Sequence, residues 1–354
     1  MMRVTVLGAF LILLLGQNQH AEAAESFIGT NGVHFMLNGN PLFVNGFNAY
    51  WLMNMASDPS QRDKVSTAFK EASINGLTGL DFVICEARRY GISLILSLVN
   101  NYDNFGGKKQ YVQWAKNQGE NIGSDDEFFS NSVVKGYYKN HVKTLITRYN
   151  AQTGVAYMND PTIFAWELMN EPRCPSDASG RTIQLAWKGF MGPHHLLACK
   201  TNPGFQVGTD FISNNQISGI DFATLHTYPD QMLTNSSDQS QLQFLNNTLD
   251  AHIRDSSNIL NKPLLVTEFG KTCKDPGYNC SKRDDLFQVV YSKIYDSART
   301  GGAAAGSLFW QLLVEGMDSL KDGYEVLLNE TPTTARIISS ESRRLGLLSQ
   351  LHSK

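Results

Sequence analysis

The stretch Thr162-Ile-Phe-Ala-Trp-Glu-Leu-Met-Asn-Glu-Pro172 decides the predicted fold, together with Pro263-Leu-Leu-Val-Thr-Glu-Phe-Gly270. Each contains an apolar run of strand length, and each run leads into a glutamate, Glu171 or Glu268. Continuous apolar runs of this length are typical of parallel strands buried on both faces. Burying a carboxylate at the end of such a strand costs free energy unless partners compensate for the lost water. A carboxylate found there therefore usually has a functional role. The pair therefore predicts acid/base or nucleophilic chemistry on a polar, uncharged substrate. The alternative for either glutamate alone is a paired ion that holds a loop.

Strand-like runs alternate with helical patterns along most of the chain, as a parallel sheet with crossover helices requires. Polar or aromatic side chains follow these runs, and the carboxyl ends of the strands are where a (β/α)8 barrel builds its active site. We therefore predict an α/β fold of the (β/α)8 TIM barrel class. An open doubly wound sheet is the alternative, but its glycine-rich nucleotide motif is missing from the sequence. The predicted strands lie at 41–51, 92–99, 195–198, 220–226, 264–268 and 304–310, with one more ending at 170–171, and the predicted helices at 63–74, 80–90, 126–149, 238–260 and 284–299.

The second strand of such a barrel has no room in this sequence. Only Gly76-Leu-Thr-Gly79 separates one predicted helix from the next. The region from 187 to 202 is similarly short for the helix end, strand and loop that it must hold. We therefore predict a barrel whose second strand is missing or distorted.

The first 23 residues have the features of a secretory signal peptide. Arg3 supplies a positive charge, the segment from Val4 to Gly16 is almost wholly apolar, and small residues at Ala21 and Ala23 fit a cleavage site. We predict a signal peptide at 1–23, a single domain at 24–354, and a secreted, extracellular protein. The chain also contains four glycosylation sequons, at Asn235, Asn246, Asn279 and Asn329.

The composition narrows the classes of partner. The formal net charge is -3 and 18% of the residues are charged. These values argue against nucleic acid or an anionic membrane as the main partner. The remaining expectation is a monomer that acts on an uncharged substrate.

Four motifs together resemble the plant endo-β-mannanases of glycoside hydrolase family five, in order and in context. Each motif alone is weak, but the ordered set is specific, and the likeness runs from about Asn31 to Leu347. The motifs are Trp166-Glu-Leu-Met-Asn-Glu-Pro172, His226-Thr-Tyr-Pro-Asp230, Thr267-Glu-Phe-Gly-Lys271 and Phe309-Trp-Gln-Leu312.

The resemblance implies a retaining hydrolysis of β-1,4-mannosidic linkages in mannans. Glu171 would be the general acid and base, and Glu268 the nucleophile, with the two carboxyl groups roughly 5 to 5.5 Å apart. Because one carboxyl must be protonated while the other is ionised, their pKa values must be pushed apart. Apolar and aromatic neighbours around Glu171, and hydrogen-bond donors around Glu268, would achieve this. The chemistry needs no metal and no organic cofactor, and the partner would be a β-mannan polysaccharide.

Four further residues are implied as substrate-binding residues. Asn170 would bind the sugar hydroxyl next to the reacting carbon, and Trp310 would be a platform for a sugar ring. Tyr228 would orient Glu268 through its hydroxyl group, with His226 nearby as a donor. Weaker candidates for sugar contacts are Trp51, Asn100 and Glu315, and Glu167 is interpreted as a buried support rather than a catalytic residue.

The gap at Gly76–Gly79 leaves other functions open. Relatives carry an arginine-threonine-tryptophan segment at the end of the second strand, and that arginine supports the nucleophile. Because this chain lacks that arginine, one alternative is a catalytically impaired carbohydrate-binding pseudoenzyme or a truncated isoform. A β-1,4-glucanase is another, since the two carboxylates do not distinguish an axial from an equatorial hydroxyl.

Overall fold

The computed structural model describes residues 11–15, 26–61, 63–64, 79–103, 107–191, 207–275 and 277–351. It contains two compact units. The first unit comprises 96–220, and the second comprises 11–95 and 221–354. The predicted strand at 195–198, the gap at 76–78 and nearly all of the predicted helix at 63–74 lie outside the described residues.

Parallel strands form the larger sheet, as the apolar runs predict. Within the second unit the sheet order is β10-β11-β12-β5-β1, and β10, β11, β12 and β5 pair in parallel. The strands of the chain are β1 Leu11–Leu15, β2 Gly29–Asn31, β3 His34–Leu37, β4 Asn40–Leu42, β5 Val44–Asn48, β6 Ser93–Ser97, β7 Tyr149–Asn150, β8 Val155–Ala156, β9 Ile163–Glu167, β10 Ala223–Thr227, β11 Leu264–Phe269 and β12 Ala304–Phe309. The β11 and β12 residues are all buried, as strands covered on both faces require.

The edge of β5 carries an unexpected neighbour. β1, which lies in the predicted signal peptide, pairs antiparallel to β5 from Ile12 opposite Asn48 to Leu15 opposite Asn45. In a (β/α)8 barrel the strand beside the first one would be parallel. The structure thus places an antiparallel segment on the edge where the second strand is expected. Cleavage of the leader stays a prediction, and it would leave this edge of β5 without β1.

In the first unit, β9 lies beside β6, and their ladder continues beyond both strands. The amide of Leu98 donates to the carbonyl of Glu167 at 2.8 Å. Asn100 and Asn170 then form a parallel bridge. The pairing between the two segments therefore continues beyond the end of β9, as far as the residue before Glu171.

The helices largely follow the predicted periodicity. The predicted helix at 126–149 is interrupted, because a 3-10 turn at Asp125–Phe129 precedes the helix proper. The small sheet of β2, β3 and β4 was not predicted, and it splits the predicted strand at 41–51. The helices are Leu52–Ser57, Gly79–Arg89, Lys108–Asn117, Ser132–Ile146, Arg181–Met191, Phe211–Asn215, Pro229–Met232, Asp238–Asp255, Cys280–Arg299 and Pro332–Leu351. Among the residues that the structure describes, none of these helices has the length and apolar character needed to span a bilayer.

Aromatic side chains form the core of each unit. In the second unit, Phe287 on the Cys280–Arg299 helix contacts Phe269 of β11 and Phe309 of β12 with ring centroids 4.8 and 5.7 Å apart. In the first unit, Tyr111 packs edge-on against Phe128 and Tyr138. In the second unit these contacts fix the helix against β11, which carries Glu268, and in the first unit they fix helical segments against one another.

A buried glutamate makes the stability of the second unit depend on pH. Glu341, on the Pro332–Leu351 helix, is 1% exposed and accepts a hydrogen bond from Arg344 at 3.2 Å. Burial raises the pKa of Glu341 from 4.5 to about 7, against the opposing effect of Arg344. Because the folded-state value is the higher one, this group's stabilising contribution is complete below pH 4.5 and is lost as the pH rises through 7.

We expect Glu341→Gln to remove this pH dependence. The difference between 4.5 and 7 corresponds to about 3 kcal/mol of unfolding free energy. Denaturant unfolding at pH 5 and pH 8 should show the wild-type chain losing most of that free energy relative to the variant, because part of the loss has already occurred at pH 5. The exposed Glu330 provides the matched control, Glu330→Gln, which should follow the wild type. Equal pH dependence in wild type and Glu341→Gln would contradict the assignment.

Candidate active site

Glu268 lies near the end of β11 and is held by two side chains from β10 and the turn after it. It is 5% exposed. The hydroxyl of Tyr228 donates to its Oε2 at 2.8 Å, and Nδ1 of His226 lies 3.2 Å from the same oxygen. These are the two contacts that the family resemblance implied, and both are made to Oε2.

A β-bulge produces this arrangement. Leu225 pairs with Val266, but the next residue, His226, pairs with Glu268, so Thr267 has no opposite residue. A bulge re-aims a side chain by adding one residue to one strand. Here it brings the imidazole of His226 to the level of the Glu268 carboxylate.

Trp310 directly follows β12 and is fixed on two sides. Its ring is parallel to that of Tyr50, with centroids 5.5 Å apart and planes 6° apart. Its indole N–H donates to the Asp322 carboxylate at 2.6 Å. Burial, and then the charge of Asp322, raises the pKa of Tyr50, so the phenol stays protonated. The half-buried indole is therefore held as a rigid flat surface, as a sugar platform requires.

The atoms around position 270 are packed so closely, beside the Trp310 surface, that only a glycine fits there. An added Cβ there would meet Tyr324 Cδ1 at 2.9 Å and the carbonyl oxygen of Trp310 at 3.1 Å. The ring of Tyr324 in turn packs edge-on against Tyr228, with centroids 5.2 Å apart. The amide of Tyr324 donates to Oδ1 of Asp322 at 2.9 Å, so Tyr324 links a support of Glu268 to a support of Trp310 within the second unit.

Glu171, in the first unit, has an unusual backbone conformation. Its φ is +46°, in the left-handed region that side chains with a Cβ rarely adopt. Successive residues of a regular strand point to opposite faces, so a break is required before Asn170 and Glu171 can face one substrate. The left-handed residue supplies such a break. Strained backbone of this kind clusters at functional sites.

The partners of the Glu171 carboxylate differ from the expected ones. Its Oε2 accepts from the hydroxyl of Tyr102 at 2.6 Å and from the guanidinium of Arg173 at 2.9 Å. Tyr102 supplies the expected aromatic neighbour, but Arg173 is a cation rather than an apolar group. The guanidinium also lies 5.5 Å from the centre of the Tyr102 ring, so the three side chains form one cluster.

Asn170 is buried, and its side-chain N–H donates to Oδ1 of Asn100 at 3.1 Å. The amide of Asn170 also donates to the carbonyl of Val99 at 2.9 Å. Asn100 thus has a defined position as the support of Asn170. Contact of Asn170 with a sugar hydroxyl stays a prediction.

The weaker candidates divide into two groups. Trp51 is 1% exposed, and its indole N–H donates to the carbonyl of Leu312 at 3.0 Å, so it belongs to the core. Glu167, which was expected inside the strand, is the last residue of β9 and is half-buried, whereas Glu315 is exposed in the loop after β12.

His226 and Glu268 bring one imidazole and one carboxylate together in the second unit. The expectation that no cofactor is needed stays a prediction.

Sequence reasoning missed Tyr102, Arg173, Tyr50 and Asp322. Tyr102 and Arg173 each lie two residues beyond a predicted strand-end polar residue, so a search two positions further along would have found them. Asp322 is twelve residues from Trp310 in a loop without a regular pattern, and the sequence carries no signal for its contact.

Comparison with known families identifies the chain's relatives. Residues 63–318 match the model described as glycoside hydrolase family 5, β-mannosidase-like. Mannan endo-1,4-beta-mannosidase 1 of Oryza sativa subsp. japonica is 54% identical over 95% of this chain and 90% of its own length. Mannan endo-1,4-beta-mannosidase 7 of Arabidopsis thaliana is 51% identical over 94% of this chain and 89% of its own length.

The alignment with the rice protein also bears on the missing second strand. It extends over 388 positions, whereas the chain has 354 residues, so at least 34 aligned positions (388 minus 354) face gaps in this chain. Segments present in this relative are therefore absent here.

Among solved structures, the endo-1,4-beta-mannanase from Rhizomucor miehei has a TM-score of 0.68 and 26% identity, covering 91% of this chain and 99% of that one. The family and these neighbours have the (β/α)8 TIM barrel fold, which confirms the predicted fold class. The four sequence motifs, the family match over more than half of the chain and the plant relatives all agree. The chain therefore belongs to glycoside hydrolase family 5, in its β-mannosidase-like group.

Proposed function

We propose that this chain is a secreted endo-hydrolase of β-1,4-mannosidic linkages in mannans, galactomannans and glucomannans. The observation that carries the proposal is the carboxylate of Glu268, fixed through one oxygen by Tyr228 and His226 at the end of a barrel strand. A carboxylate held in this way presents its second oxygen as a positioned nucleophile. The plant relatives, named as mannan endo-1,4-beta-mannosidases, support the choice of substrate.

The proposed mechanism has two steps and retains the anomeric configuration. In the first, Oε1 of Glu268 forms a bond to the anomeric carbon while the glycosidic C–O bond breaks, and Glu171 gives its proton to the departing oxygen. In the second, Glu171 takes a proton from water, the water oxygen bonds to the anomeric carbon, and the ester bond to Glu268 breaks. Both steps require the two carboxyl groups on opposite sides of one acetal carbon.

In this proposal Asn170 and Trp310 bind the sugar on which Glu268 acts. Asn170 would donate to the hydroxyl beside the anomeric carbon, and the Trp310 ring would stack on a pyranose face. His226 and Tyr228 would contact the same sugar from the nucleophile side. The partner is a mannan polysaccharide, and the proposed active form is a monomer.

Release of reducing ends by the purified chain tests the substrate. We expect hydrolysis of galactomannan and glucomannan to exceed that of cellulose. The variant Glu167→Gln, at the last residue of β9, should remain active and serves as the control carboxylate. Faster hydrolysis of cellulose would favour the β-1,4-glucanase alternative. Detection of the chain in the culture medium of a eukaryotic host, with an N-terminus near residue 24, tests secretion.

A carbohydrate-binding pseudoenzyme is the second candidate, because at least 34 aligned positions of the rice relative face gaps in this chain. The missing segment would leave the edge of β5 without its parallel neighbour, and lost ladder partners weaken a barrel. Saturable binding of mannooligosaccharides without release of reducing ends would identify this function.

The Asp322 carboxylate should control sugar binding through Trp310. Hydrogen bonds to charged groups contribute about 1.5 to 3 kcal/mol, so Asp322→Leu is expected to weaken mannooligosaccharide binding by about tenfold or more. Isothermal titration measures this change. Asp318→Asn is the matched control, because Asp318 lies in the same loop with its side chain 79% exposed. Unchanged affinity in Asp322→Leu would contradict a platform role for Trp310.

A further inference from the structure

The first unit contains a buried ion pair that the proposed mechanism does not use. Nζ of Lys108 lies 2.8 Å from Oδ1 of Asp126, with side chains only 10% and 14% exposed. The amine also lies 5.5 Å from the centre of the Phe129 ring. Burying two charges costs free energy even when they form an ion pair, so a contribution to stability alone does not explain why this pair is there.

The pair binds both ends of the loop that follows Glu171. Nζ of Lys108 donates to the carbonyl of Arg173 at 2.8 Å. The other oxygen of Asp126 accepts from the amide of Ser176 at 2.9 Å. Burial opposes the ionisation of Asp126, but the hydrogen bonds from Lys108 and Ser176 outweigh it and lower its pKa. The loop is therefore fastened at two points to one fixed charge pair.

Arg173 connects this anchor to the carboxylate of Glu171. Its backbone carbonyl is held by Lys108, and its guanidinium donates to Oε2 of Glu171 at 2.9 Å. The hydroxyl of Tyr102 donates to the same oxygen, and the left-handed backbone of Glu171 needs surrounding contacts to persist. A shift of the Arg173 backbone would therefore move the Glu171 carboxyl group.

We propose that Lys108 and Asp126 are positioning residues for Glu171, acting through the loop at 172–176. The inference rests on the proposed role of Glu171 as acid and base. Without the pair, the loop relaxes, Arg173 shifts and the proton of Glu171 is no longer aimed at the leaving oxygen. In this proposal the attack by Glu268 keeps its rate, because the pair acts through Arg173 on Glu171.

Two substrates separate this role from a general structural one. A mannooligosaccharide needs a proton on its leaving oxygen, whereas 2,4-dinitrophenyl β-mannobioside releases a stable phenolate without one. For Lys108→Met, we expect kcat/KM to fall about 10- to 100-fold on the oligosaccharide, since small misplacements of a catalytic group have effects of this size. On the aryl substrate the fall should be under about threefold, because acid catalysis is not needed there.

Lys109→Met is the matched control. Lys109 is the next residue on the same helix, and its pair with Asp103, at 2.6 Å, has both side chains more than half exposed. Its removal should leave both substrates within about twofold of wild type. The double variant Lys108→Met/Asp126→Leu removes both charges together, which avoids an unpaired buried ion but still removes the loop contacts. It should show the same difference between substrates as Lys108→Met.

Equal losses on the two substrates in both Lys108 variants would overturn the inference, since they would indicate a structural role only. Glu171→Ala is measured in parallel. If Glu171→Ala distinguishes the substrates and the Lys108 variants do not, the positioning role is wrong and the role of Glu171 stands. If Glu171→Ala does not distinguish them, or the wild-type chain is inactive on both, the proposed function fails and the inference fails with it.

Discussion

Replacing Glu268 by alanine is expected to lower kcat on galactomannan by about 10⁴-fold or more, because the covalent step loses its nucleophile. The Tyr228 and His226 contacts to Oε2 position this carboxylate, so the loss follows from chemistry rather than from folding. Release of reducing ends measures the loss, and thermal unfolding checks that the variant is folded.

The conservative variant Tyr228→Phe provides a graded comparison. It removes the hydroxyl that donates to Glu268 at 2.8 Å while it keeps the ring that packs on Tyr324. We expect a smaller loss than in Glu268→Ala, in the range of about 10- to 100-fold, since one charge-assisted hydrogen bond is removed. A folded Glu268→Ala variant with wild-type activity would contradict the nucleophile assignment.

Replacing Glu171 by alanine should lower kcat on mannan by about 10²- to 10⁴-fold, the usual contribution of general acid/base catalysis. The first step on an aryl mannoside with an acidic phenol should be nearly unchanged, because that leaving group needs no proton. The second step then becomes limiting, since water loses its base. Added azide, an anion that needs no base, should restore turnover and give the β-mannosyl azide.

The control for this experiment is Glu167→Gln, four residues earlier at the end of β9. It should show neither the difference between substrates nor acceleration by azide. If azide accelerated Glu167→Gln and left Glu171→Ala unchanged, the two glutamates would have to exchange roles.

The strands that carry the site were predictable because their sequences contain continuous apolar runs of strand length. The run Leu264–Phe269 is apolar and buried along its whole length, as a strand covered on both faces must be. The contact of Tyr228 with Glu268 was expected from the family resemblance, whereas the two-residue spacing indicated only that His226 and Tyr228 lie on one side of their strand. The bulge opposite Thr267 that sets the register at His226 was not, because register depends on the paired strands together.

The supports of Glu171 and Trp310 were much harder to predict. Arg173 was not singled out in the sequence, and its ion pair depends on a left-handed backbone at Glu171 that no local preference indicates. The bond from Trp310 to Asp322 depends on the path of an irregular loop. Such contacts come from tertiary structure, and a single sequence gives no periodicity from which to read them.

The small sheet of β2, β3 and β4 was missed for a different reason. Its strands have three or four residues each, and β2 is exposed throughout. Short segments of this kind lack the alternating or continuous apolar pattern on which strand prediction depends. The turn between β3 and β4 contains Asn38-Gly39, a dipeptide that favours hairpin turns, and this signal was overlooked in the sequence.

Trapping of the covalent intermediate tests the central claim most directly. Incubation of the whole chain with a 2-deoxy-2-fluoro-β-mannosyl fluoride should slow the second step and leave a fluorosugar ester that mass spectrometry can locate. We predict one adduct per chain, on the peptide that contains Glu268, and faster loss of the adduct when a mannooligosaccharide acceptor is added. An adduct on another carboxylate, or mannan hydrolysis with inverted configuration and no adduct, would contradict the account.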